Sequence, residues 1–298
     1  MKKMSNRILF FGSGPVAKAS LEFILQHFEV EAVITKAATK DEMAELAQNI
    51  PVYAVQNASD LDVLIASHNF SSKLGILVDF GVIVSRKVID CFPLGIVNSH
   101  FSLLPKLRGA DPITFAILEG YEKTGVSLML IDEKMDTGQL ITQKTLHIKP
   151  DATTPSLTED LVTLSNELLV EYIPRYTSGE IKPHSQLHPD RATYTRKLVK
   201  DEGLIDWTKP AEQIEREVRA YVGWPGSRTE LAGKEVTITQ ARANPDDSST
   251  LQPGEPTFNS SKDVLIIGTS RGTLVIERLK PAGKKEMSAA EFIRGYIR

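Results

Sequence analysis

The fold of this chain is decided by the stretch Asn98-Ser-His-Phe-Ser-Leu-Leu-Pro-Lys-Leu-Arg-Gly109. It follows Leu94-Gly-Ile-Val97, a short apolar run that predicts a buried parallel strand. If the end of this strand stays extended, Asn98 and His100 lie on the same face, because side chains alternate along a strand. The proline and the final glycine of the stretch then turn the chain away. Ligands bind at the carboxyl ends of strands in open α/β sheets, so this stretch is a candidate site.

Outward from this stretch, apolar runs alternate with helical stripes. The runs predict further strands at residues 7–11, 30–36, 51–54, 72–80, 126–131 and 139–147. The stripes predict helices at residues 15–28, 40–48, 85–90, 110–120 and 154–177. Strands that alternate with helices predict an α/β domain with a doubly wound, Rossmann-like parallel sheet. We place this domain at residues 1–183.

The pattern changes after this domain. Residues 184–203 contain Pro189 and many polar residues without clear periodicity, and we interpret them as a linker. Residues 204–298 begin with a predicted helix and continue with period-two strands at residues 235–241, 263–268 and 273–279. This second domain is predicted to be a small, OB-like β-barrel with a flanking helix.

Composition bounds the class of protein. The chain has 298 residues, enough for a core in each of two domains. It has no apolar run of 18 residues and no secretory signal at its start, so we expect a cytoplasmic protein without a membrane segment. Cys91 is the single cysteine, which excludes an intrachain disulfide. We expect a monomer.

Net charge differs between the two parts of the chain. Residues 190–298 carry 18 Lys and Arg against 16 Asp and Glu, whereas the preceding residues carry 17 against 22. The C-terminal part is therefore mildly basic, which permits an anionic partner without requiring one.

A glycine motif near the start raises the hypothesis of a dinucleotide enzyme. Gly12-Ser-Gly-Pro-Val-Ala17 matches a relaxed form of the dinucleotide fingerprint. That hypothesis expects an acidic residue at the end of the second strand to bind the ribose, but Thr35 and Lys36 stand there. We prefer the simpler interpretation, a tight turn from strand to helix.

Several motifs together indicate a family. Asn98-x-His100, the following Ser-Leu-Leu-Pro-x-x-Arg-Gly and the later Met135-Asp-Thr-Gly138 resemble, in order and spacing, the 10-formyltetrahydrofolate-dependent formyltransferases. This resemblance implies 10-formyltetrahydrofolate as the co-substrate and no metal. It places Asn98, His100 and Asp136 on the catalytic triad of the family. It also implies two folate-binding segments, formed by Ser102, Leu103, Leu104 and Pro105 and by Phe80, Gly81, Val82 and Ile83.

The chemistry of formyl transfer suits these residues. The incoming amine must be neutral, the carbonyl oxygen must be stabilised as it gains negative charge, and protons must move. Asn98 can donate its side-chain N–H to that oxygen, and His100 donates more strongly when protonated. Asp136 can hold His100 in its charged form or accept the proton of the amine. Direct transfer needs no nucleophilic Ser or Cys.

The C-terminal part indicates which formyltransferases are most similar. Ala192-Thr-Tyr-x-x-Lys197, Ile205-Asp-Trp207, Trp224-Pro225 and Lys280-Pro-Ala-Gly-Lys-Lys-Glu-Met-Ser288 resemble the methionyl-tRNA formyltransferases. The resemblance implies initiator methionyl-tRNA as the partner and the OB-like domain as its binding domain. Two alternatives stay open, namely a sugar-nucleotide N-formyltransferase with the same folate donor and an inactive RNA-binding relative.

Basic residues on the linker and the second domain are candidates for phosphate contacts with tRNA. The candidates are Arg191, Arg196, Lys197, Lys200, Lys280, Lys284 and Lys285. One segment departs from the family pattern. The methionyl-tRNA formyltransferases carry a longer basic loop after the second strand, whereas residues 35–42 pass straight into a helix with only Lys36 and Lys40.

Overall fold

The computed structural model describes residues 4–247, 250–259 and 264–297, which divide into two compact units. The described residues of the first unit lie within Met1–Pro112, Lys123–His147 and Thr158–Thr195. Those of the second unit lie within Ile113–Glu122, Ile148–Leu157 and Arg196–Arg298. The segment that we interpreted as a linker is thus shared, because its residues 184–195 belong to the first unit.

The first unit is built on a seven-stranded sheet. The chain up to residue 195 forms the strands β1 (Met4–Gly12), β2 (Phe28–Lys36), β3 (Val52–Val55), β4 (Leu74–Val78), β5 (Ile96–His100), β6 (Arg108–Gly109), β7 (Lys123–Leu130), β8 (Leu140–His147) and β9 (Tyr194–Thr195). The sheet has the order β3-β2-β1-β4-β5-β7-β8, and β6 pairs separately with β9. The first five strands of that order are parallel, whereas β7 and β8 are antiparallel to their neighbours. The predicted Rossmann-like class is confirmed, with an antiparallel edge that the sequence pattern did not indicate.

The described residues up to 195 also form six α-helices, and most of the helix at Pro112–Leu118 and the start of the helix at Thr154–Thr177 belong to the second unit. The six helices are α1 (Gly14–His27), α2 (Lys40–Ala47), α3 (Ala58–Ser67), α4 (Arg86–Ile89), α5 (Pro112–Leu118) and α6 (Thr154–Thr177). The sequence analysis did not predict α3. Asn57 caps this helix by accepting the backbone N–H of Asp60 at 3.1 Å, and Leu61 and Ile65 form its buried stripe.

The centre of the sheet is apolar because its strands are covered by other elements. Residues 8–11 of β1 are completely buried, and the Phe11 ring contacts Phe80 edge-on at 5.7 Å between centroids. At the end of β1, a Cβ on Gly12 would lie 2.7 Å from the Ala17 Cβ, so the turn into α1 needs a glycine there. Thr35 is also buried, and its hydroxyl lies 3.3 Å from that of Ser13. These contacts fit the interpretation of the glycine motif as a tight strand-to-helix turn.

The second unit is built on an antiparallel sheet. Its elements are α7 (Ala211–Ala220), β10 (Ser227–Leu231), β11 (Lys234–Asn244), β12 (Pro256–Asn259), β13 (Val264–Gly268), β14 (Thr273–Pro281), β15 (Met287–Ser288) and α8 (Ala289–Tyr296). The strand order is β10-β11-β14-β13-β12, with β15 also paired to β14. Within the described residues no ladder joins β10 to β12, so the sheet is an open half-barrel. Asp263, predicted to begin a strand, lies outside the described residues.

The core of this unit lies between the sheet and its two helices. Ile214 and Val218 of α7 and Phe292 of α8 are almost completely buried against alternate residues of β11, β13 and β14. Apolar burial of this kind contributes about 1.5–3 kcal/mol for each large side chain. The period-two pattern seen in the sequence is therefore the inward face of this sheet.

Candidate active site

Strand β5 delivers Asn98 and His100 to one face of the sheet. Its pairing continues to its last residue, because His100 is opposite Ser127 of the antiparallel strand β7. Ser99 lies on the other face, where its hydroxyl is 2.6 Å from that of Ser165 on α6. Since side chains alternate along a strand, Asn98 and His100 share the face opposite to that contact. The sequence prediction that this strand end stays extended is confirmed.

The imidazole of His100 is buried and fixed by the backbone. Its Nε2 atom lies 3.0 Å from the carbonyl oxygen of Leu107. A carbonyl oxygen only accepts, so Nε2 carries a hydrogen and donates it. The other ring nitrogen, Nδ1, lies 3.7 Å from Oδ2 of Asp136. With Nε2 used in this way, Nδ1 is the ring nitrogen that faces the Asp136 carboxylate.

Asp136 lies in a loop that is held in place by hydrogen bonds. Its Oδ2 atom accepts the backbone N–H of Gly109 at 2.6 Å, and its own backbone has the unusual φ of +51°. Asp132 closes the same loop by accepting the Thr137 hydroxyl at 2.7 Å. Gly138 cannot carry a side chain, because a Cβ there would overlap the carbonyl oxygen of Leu130. The carboxylate of Asp136 is thus held beside His100.

Asn98 has a different environment from His100. Its side chain is half-buried, and the amide group of that side chain makes no hydrogen bond to any other described residue. An amide with both N–H groups available is suited to donate to a substrate oxygen. The structure therefore brings together an unengaged donor, an imidazole and a carboxylate.

The first predicted folate segment has two residues turned inward. Ser102 is completely buried and its hydroxyl donates to the Lys106 carbonyl oxygen at 2.6 Å. Leu104 packs with Met129 and Leu140, and its backbone N–H donates to the Ser127 hydroxyl at 3.1 Å. The half-buried residues of this segment are Leu103 and Pro105.

The second predicted folate segment follows β4. Phe80 is in the core against Phe11, whereas the next residues lie at the surface. Gly81 has a φ of +65°, and a Cβ there would lie 2.6 Å from Nζ of Lys36. Val82 is half-buried and Ile83 is 81% exposed. An aliphatic side chain this exposed is available to contact an apolar ring.

Two carboxylates lie near this edge of the sheet. Asp79 is exposed as a whole residue, but desolvation of its carboxyl group raises the pKa of that group, the nearby Asp111 raises it further, and Lys36 acts in the opposite direction. The Asp79 carbonyl oxygen accepts the backbone N–H of Ser13 at 3.0 Å, which ties the end of β4 to the turn after β1. Asp79 has a φ of +45° and Asp111 a φ of +56°.

The candidate tRNA contacts are all exposed, but they are divided between the units. Arg191 belongs to the first unit, and Arg196, Lys197, Lys200, Lys280, Lys284 and Lys285 belong to the second. Arg196 is engaged within its own unit, where it donates to both carboxylate oxygens of Glu202 at 2.8 and 2.6 Å. This hydrogen bonding raises the pKa of Arg196 and lowers that of Glu202. Among the described residues, Arg196 is thus the member of this set that forms an ion pair.

Sequence reasoning missed residues that support the site. Gly109, whose backbone N–H donates to the Asp136 carboxylate, was not assigned a role, although it ends the Ser-Leu-Leu-Pro-x-x-Arg-Gly motif. Its place in that motif was a signal for its importance. Gln143 donates to the Leu104 carbonyl oxygen at 2.9 Å, and Gln186 donates to the Asp136 carbonyl oxygen at 2.8 Å. Neither glutamine carries a sequence signal, because its partner is distant along the chain.

Two kinds of feature are not found in the described residues. None of the helices formed by residues 4–247, 250–259 and 264–297 is long and apolar enough to cross a membrane. In the same residues, no group of three or more His, Cys, Asp and Glu side chains is arranged to hold a metal ion.

Comparisons with known proteins match both parts of the chain. Residues 7–173 match the family model described as formyl transferase, and residues 197–297 match that of the formyl transferase C-terminal domain. The methionyl-tRNA formyltransferase of Roseiflexus castenholzii is 37% identical over 98% of this chain and 96% of its own length. That of Myxococcus xanthus is 34% identical over 97% of this chain and 95% of its own.

Solved structures with the same fold are more distant in sequence. An N-formyltransferase from Helicobacter canadensis, in complex with folinic acid and dTDP-3-aminofucose, has a TM-score of 0.69 at 19% identity. That match covers 95% of this chain and 100% of the other. HypX from Aquifex aeolicus in complex with tetrahydrofolic acid has a TM-score of 0.64 at 19% identity, over 98% of this chain and 47% of the other.

Proposed function

The chain belongs to the family of methionyl-tRNA formyltransferases, and on that premise we propose how its residues perform the reaction. It transfers a formyl group from 10-formyltetrahydrofolate to the free amino group of methionyl-tRNA, which gives N-formylmethionyl-tRNA for translation initiation. The observation that carries the assignment of the site is the His100–Asp136 pair beside the unengaged amide of Asn98.

Asn98 and His100 stabilise the formyl oxygen. As the amine attacks the formyl carbon, the oxygen gains negative charge and needs donors already in place. Asn98 supplies an amide N–H. His100 uses its Nε2–H on the Leu107 carbonyl oxygen, so only the protonated ring has a hydrogen on Nδ1 to donate. Asp136 lies 3.7 Å from Nδ1 and presents a carboxylate to that side of the ring.

Asp136 also accepts the proton that the amine loses. One N–C bond forms on the methionyl nitrogen and one N–C bond breaks on the donor, whose nitrogen recovers a proton. The amine loses one proton and the folate nitrogen gains one, so no net proton or electron is required. A carboxylate that is held by the Gly109 N–H and faces His100 is placed to move that proton between the two nitrogens.

The folate donor is assigned to the two loops beside the triad. Leu103 and Pro105 offer half-buried apolar surface, and Ile83 offers an exposed aliphatic side chain. Ser102, Leu104 and Phe80 shape this surface from behind, because their side chains are buried. We assign backbone groups of residues 80–83 to the polar edge of the folate ring.

The remaining assignments concern the partner and the cell. We assign catalysis to residues 1–183, a connecting role to residues 184–203 and tRNA binding to residues 204–298. Exposed lysines of the second unit, above all Lys280, Lys284 and Lys285, are suited to contact phosphates. We further propose that the enzyme acts as a monomer in the cytoplasm.

A transfer assay with three acceptors tests this function. Initiator methionyl-tRNA, elongator methionyl-tRNA and an amino-sugar nucleotide are offered side by side with 10-formyltetrahydrofolate. We expect formylation of the initiator alone, in spite of the short segment after β2. Transfer to both tRNAs would mean that discrimination between them is lost. Transfer only to the sugar nucleotide, or no transfer at all, would overturn the proposed function.

A further inference from the structure

Gln186 lies in a polar stretch that the sequence marked as a linker, yet its side chain is buried and fully engaged. Only 7% of its surface is exposed. Its Nε2 group donates to two backbone carbonyl oxygens, that of Asp136 at 2.8 Å and that of Gly138 at 3.0 Å. The two hydrogens of the amide thus bind the two carbonyl oxygens that flank Thr137.

The other end of the Gln186 amide is held by an equally buried residue. Its Oε1 atom accepts Nη2 of Arg108 at 2.7 Å, and Arg108 is 5% exposed. The Nη1 group of Arg108 lies 3.2 Å from the Tyr194 hydroxyl, to which it donates. Because both the oxygen and the nitrogen of its amide are hydrogen-bonded, Gln186 is held in one rotamer. It therefore links the position of Arg108 to that of the loop at residues 136–138.

Arg108 and its neighbour Gly109 hold Asp136 by two routes. Gly109 donates its backbone N–H to the Asp136 carboxylate, whereas Arg108 acts on the Asp136 backbone through Gln186. The two residues form β6, which is paired with β9. Asp136 has a φ of +51°, a conformation that non-glycine residues keep only when surrounding contacts impose it.

We propose that Gln186 is a positioning residue for the proposed reaction: it fixes the backbone at Asp136 and so holds the carboxylate at His100. This inference rests on the proposed function, because it assigns Gln186 a role through Asp136. We assign Gln186 no contact with either substrate, because its side chain is buried and its amide is fully used within the protein. Displacement of a catalytic group by about 1 Å can cost about 100-fold in rate, so the contact has a large predicted effect.

Two substitutions separate positioning from simple structural support. Gln186→Glu keeps an acceptor for Arg108 but replaces both donated hydrogens with a carboxylate that faces two carbonyl oxygens. Gln186→Met has a similar shape and loses all three hydrogen bonds. We expect both variants to lower kcat about 10- to 100-fold with KM values for folate and tRNA changed less than about threefold. Leu187→Ala, at a neighbouring residue that is 72% exposed, is the control.

A double-mutant cycle tests whether the effect passes through Asp136. In an Asp136→Asn background, Gln186→Glu should change the single-turnover rate by less than about threefold, because the group that it positions is gone. Full additivity of the two losses would overturn the inference. A Gln186→Glu variant with wild-type kcat would overturn it as well, since the segment would then need only the Arg108 contact.

Hydrogen exchange at the Gly109 amide gives a readout without substrate. This N–H is donated to the Asp136 carboxylate, so loosening of the loop should speed its exchange by about tenfold or more in both Gln186 variants and not in Leu187→Ala. Unchanged exchange would overturn the inference whatever the activity. An inactive wild-type chain would overturn the proposed function instead, while the exchange rates would still decide the role of Gln186.

Discussion

Two loops leave the same edge of the sheet in contrasting states. The segment after β5, residues 101–109, is mostly buried, and several of its polar groups are hydrogen-bonded inside the protein. The loop after β4, residues 79–85, directs Phe80 into the core but leaves Ile83 81% exposed. The first loop builds a fixed frame around His100 and Asp136, whereas the second presents surface. We infer that the chemistry is preorganised by one loop and that the other determines how well the folate donor binds.

The largest effect is expected at the fixed frame. Asp136→Asn keeps an oxygen that can accept the Gly109 N–H, but it removes the charge and the proton acceptor. We expect the single-turnover rate of formyl transfer to fall by about 10³-fold, within the range seen when an electrostatic or proton-transfer group is removed. Asp132→Asn changes the same charge in the same loop and should cost less than about tenfold. If the two variants lost the same fraction of the transfer rate, the proposed catalytic role of Asp136 would be contradicted.

A change at Gly109 should damage both fold and rate. Its φ is +106°, and a Cβ there would lie 2.6 Å from the Thr195 carbonyl oxygen. We expect Gly109→Ala to lower the free energy of unfolding by about 2–4 kcal/mol and kcat by about tenfold. Gly179→Ala is the matched control, because Gly179 has a φ of +80° and a Cβ there would meet no atom of the described residues within 4 Å. The control should cost only about 1–2 kcal/mol of backbone strain and no rate. Chemical unfolding and kinetics of both variants make the comparison.

A substitution in the exposed loop, residues 79–85, should weaken binding of the folate donor without lowering kcat. Ile83→Ser removes apolar surface that we assign to the folate ring, so the KM for 10-formyltetrahydrofolate should rise about three- to tenfold. We expect kcat and Tm to stay the same, because the side chain is 81% exposed. Val63→Ser, at another exposed residue that lies on α3, should leave all three quantities unchanged. A loss of kcat at Ile83 with unchanged KM would contradict the contrast between the loops.

The smallest effect concerns stability and pH. Because the pKa of Asp79 is raised above its ordinary value of 3.8 in the folded chain, the folded state holds this proton more tightly than the unfolded state. Ionisation of Asp79 therefore lowers stability as the pH rises through and above 3.8. Asp79→Asn should raise Tm at pH 7 by about 1–2 °C and have no such effect near pH 3. A difference in Tm that is the same at both pH values would contradict this origin.

The sequence allowed prediction of the central strand and of the groups that it carries. Period-two alternation placed Asn98 and His100 on one face, and the structure confirms the extended strand end. The antiparallel direction of β7 and β8 was not predicted, because a buried apolar run has the same pattern in either direction. Helix α3 was missed although Asn57 and the Leu61–Ile65 stripe were signals for it.

Prediction of the site was limited by contacts that are distant along the chain. Leu104 belongs to the motif, but its side chain packs inward against Met129 and Leu140, which are more than about 20 positions away along the chain. Gln186 is one polar residue in a polar stretch, and its importance depends on Arg108, which is 78 positions away. Only the fold brings such residues together, so no local pattern could have identified them.

The most direct test measures formyl transfer and tRNA binding in parallel for Asn98→Ala and His100→Ala. If these residues act on the formyl group, both variants should lose at least about 100-fold in the single-turnover rate while their affinity for initiator methionyl-tRNA stays within about threefold of wild type. Near-normal transfer by either variant, or a loss of tRNA affinity that accounts for the whole loss of activity, would contradict the account.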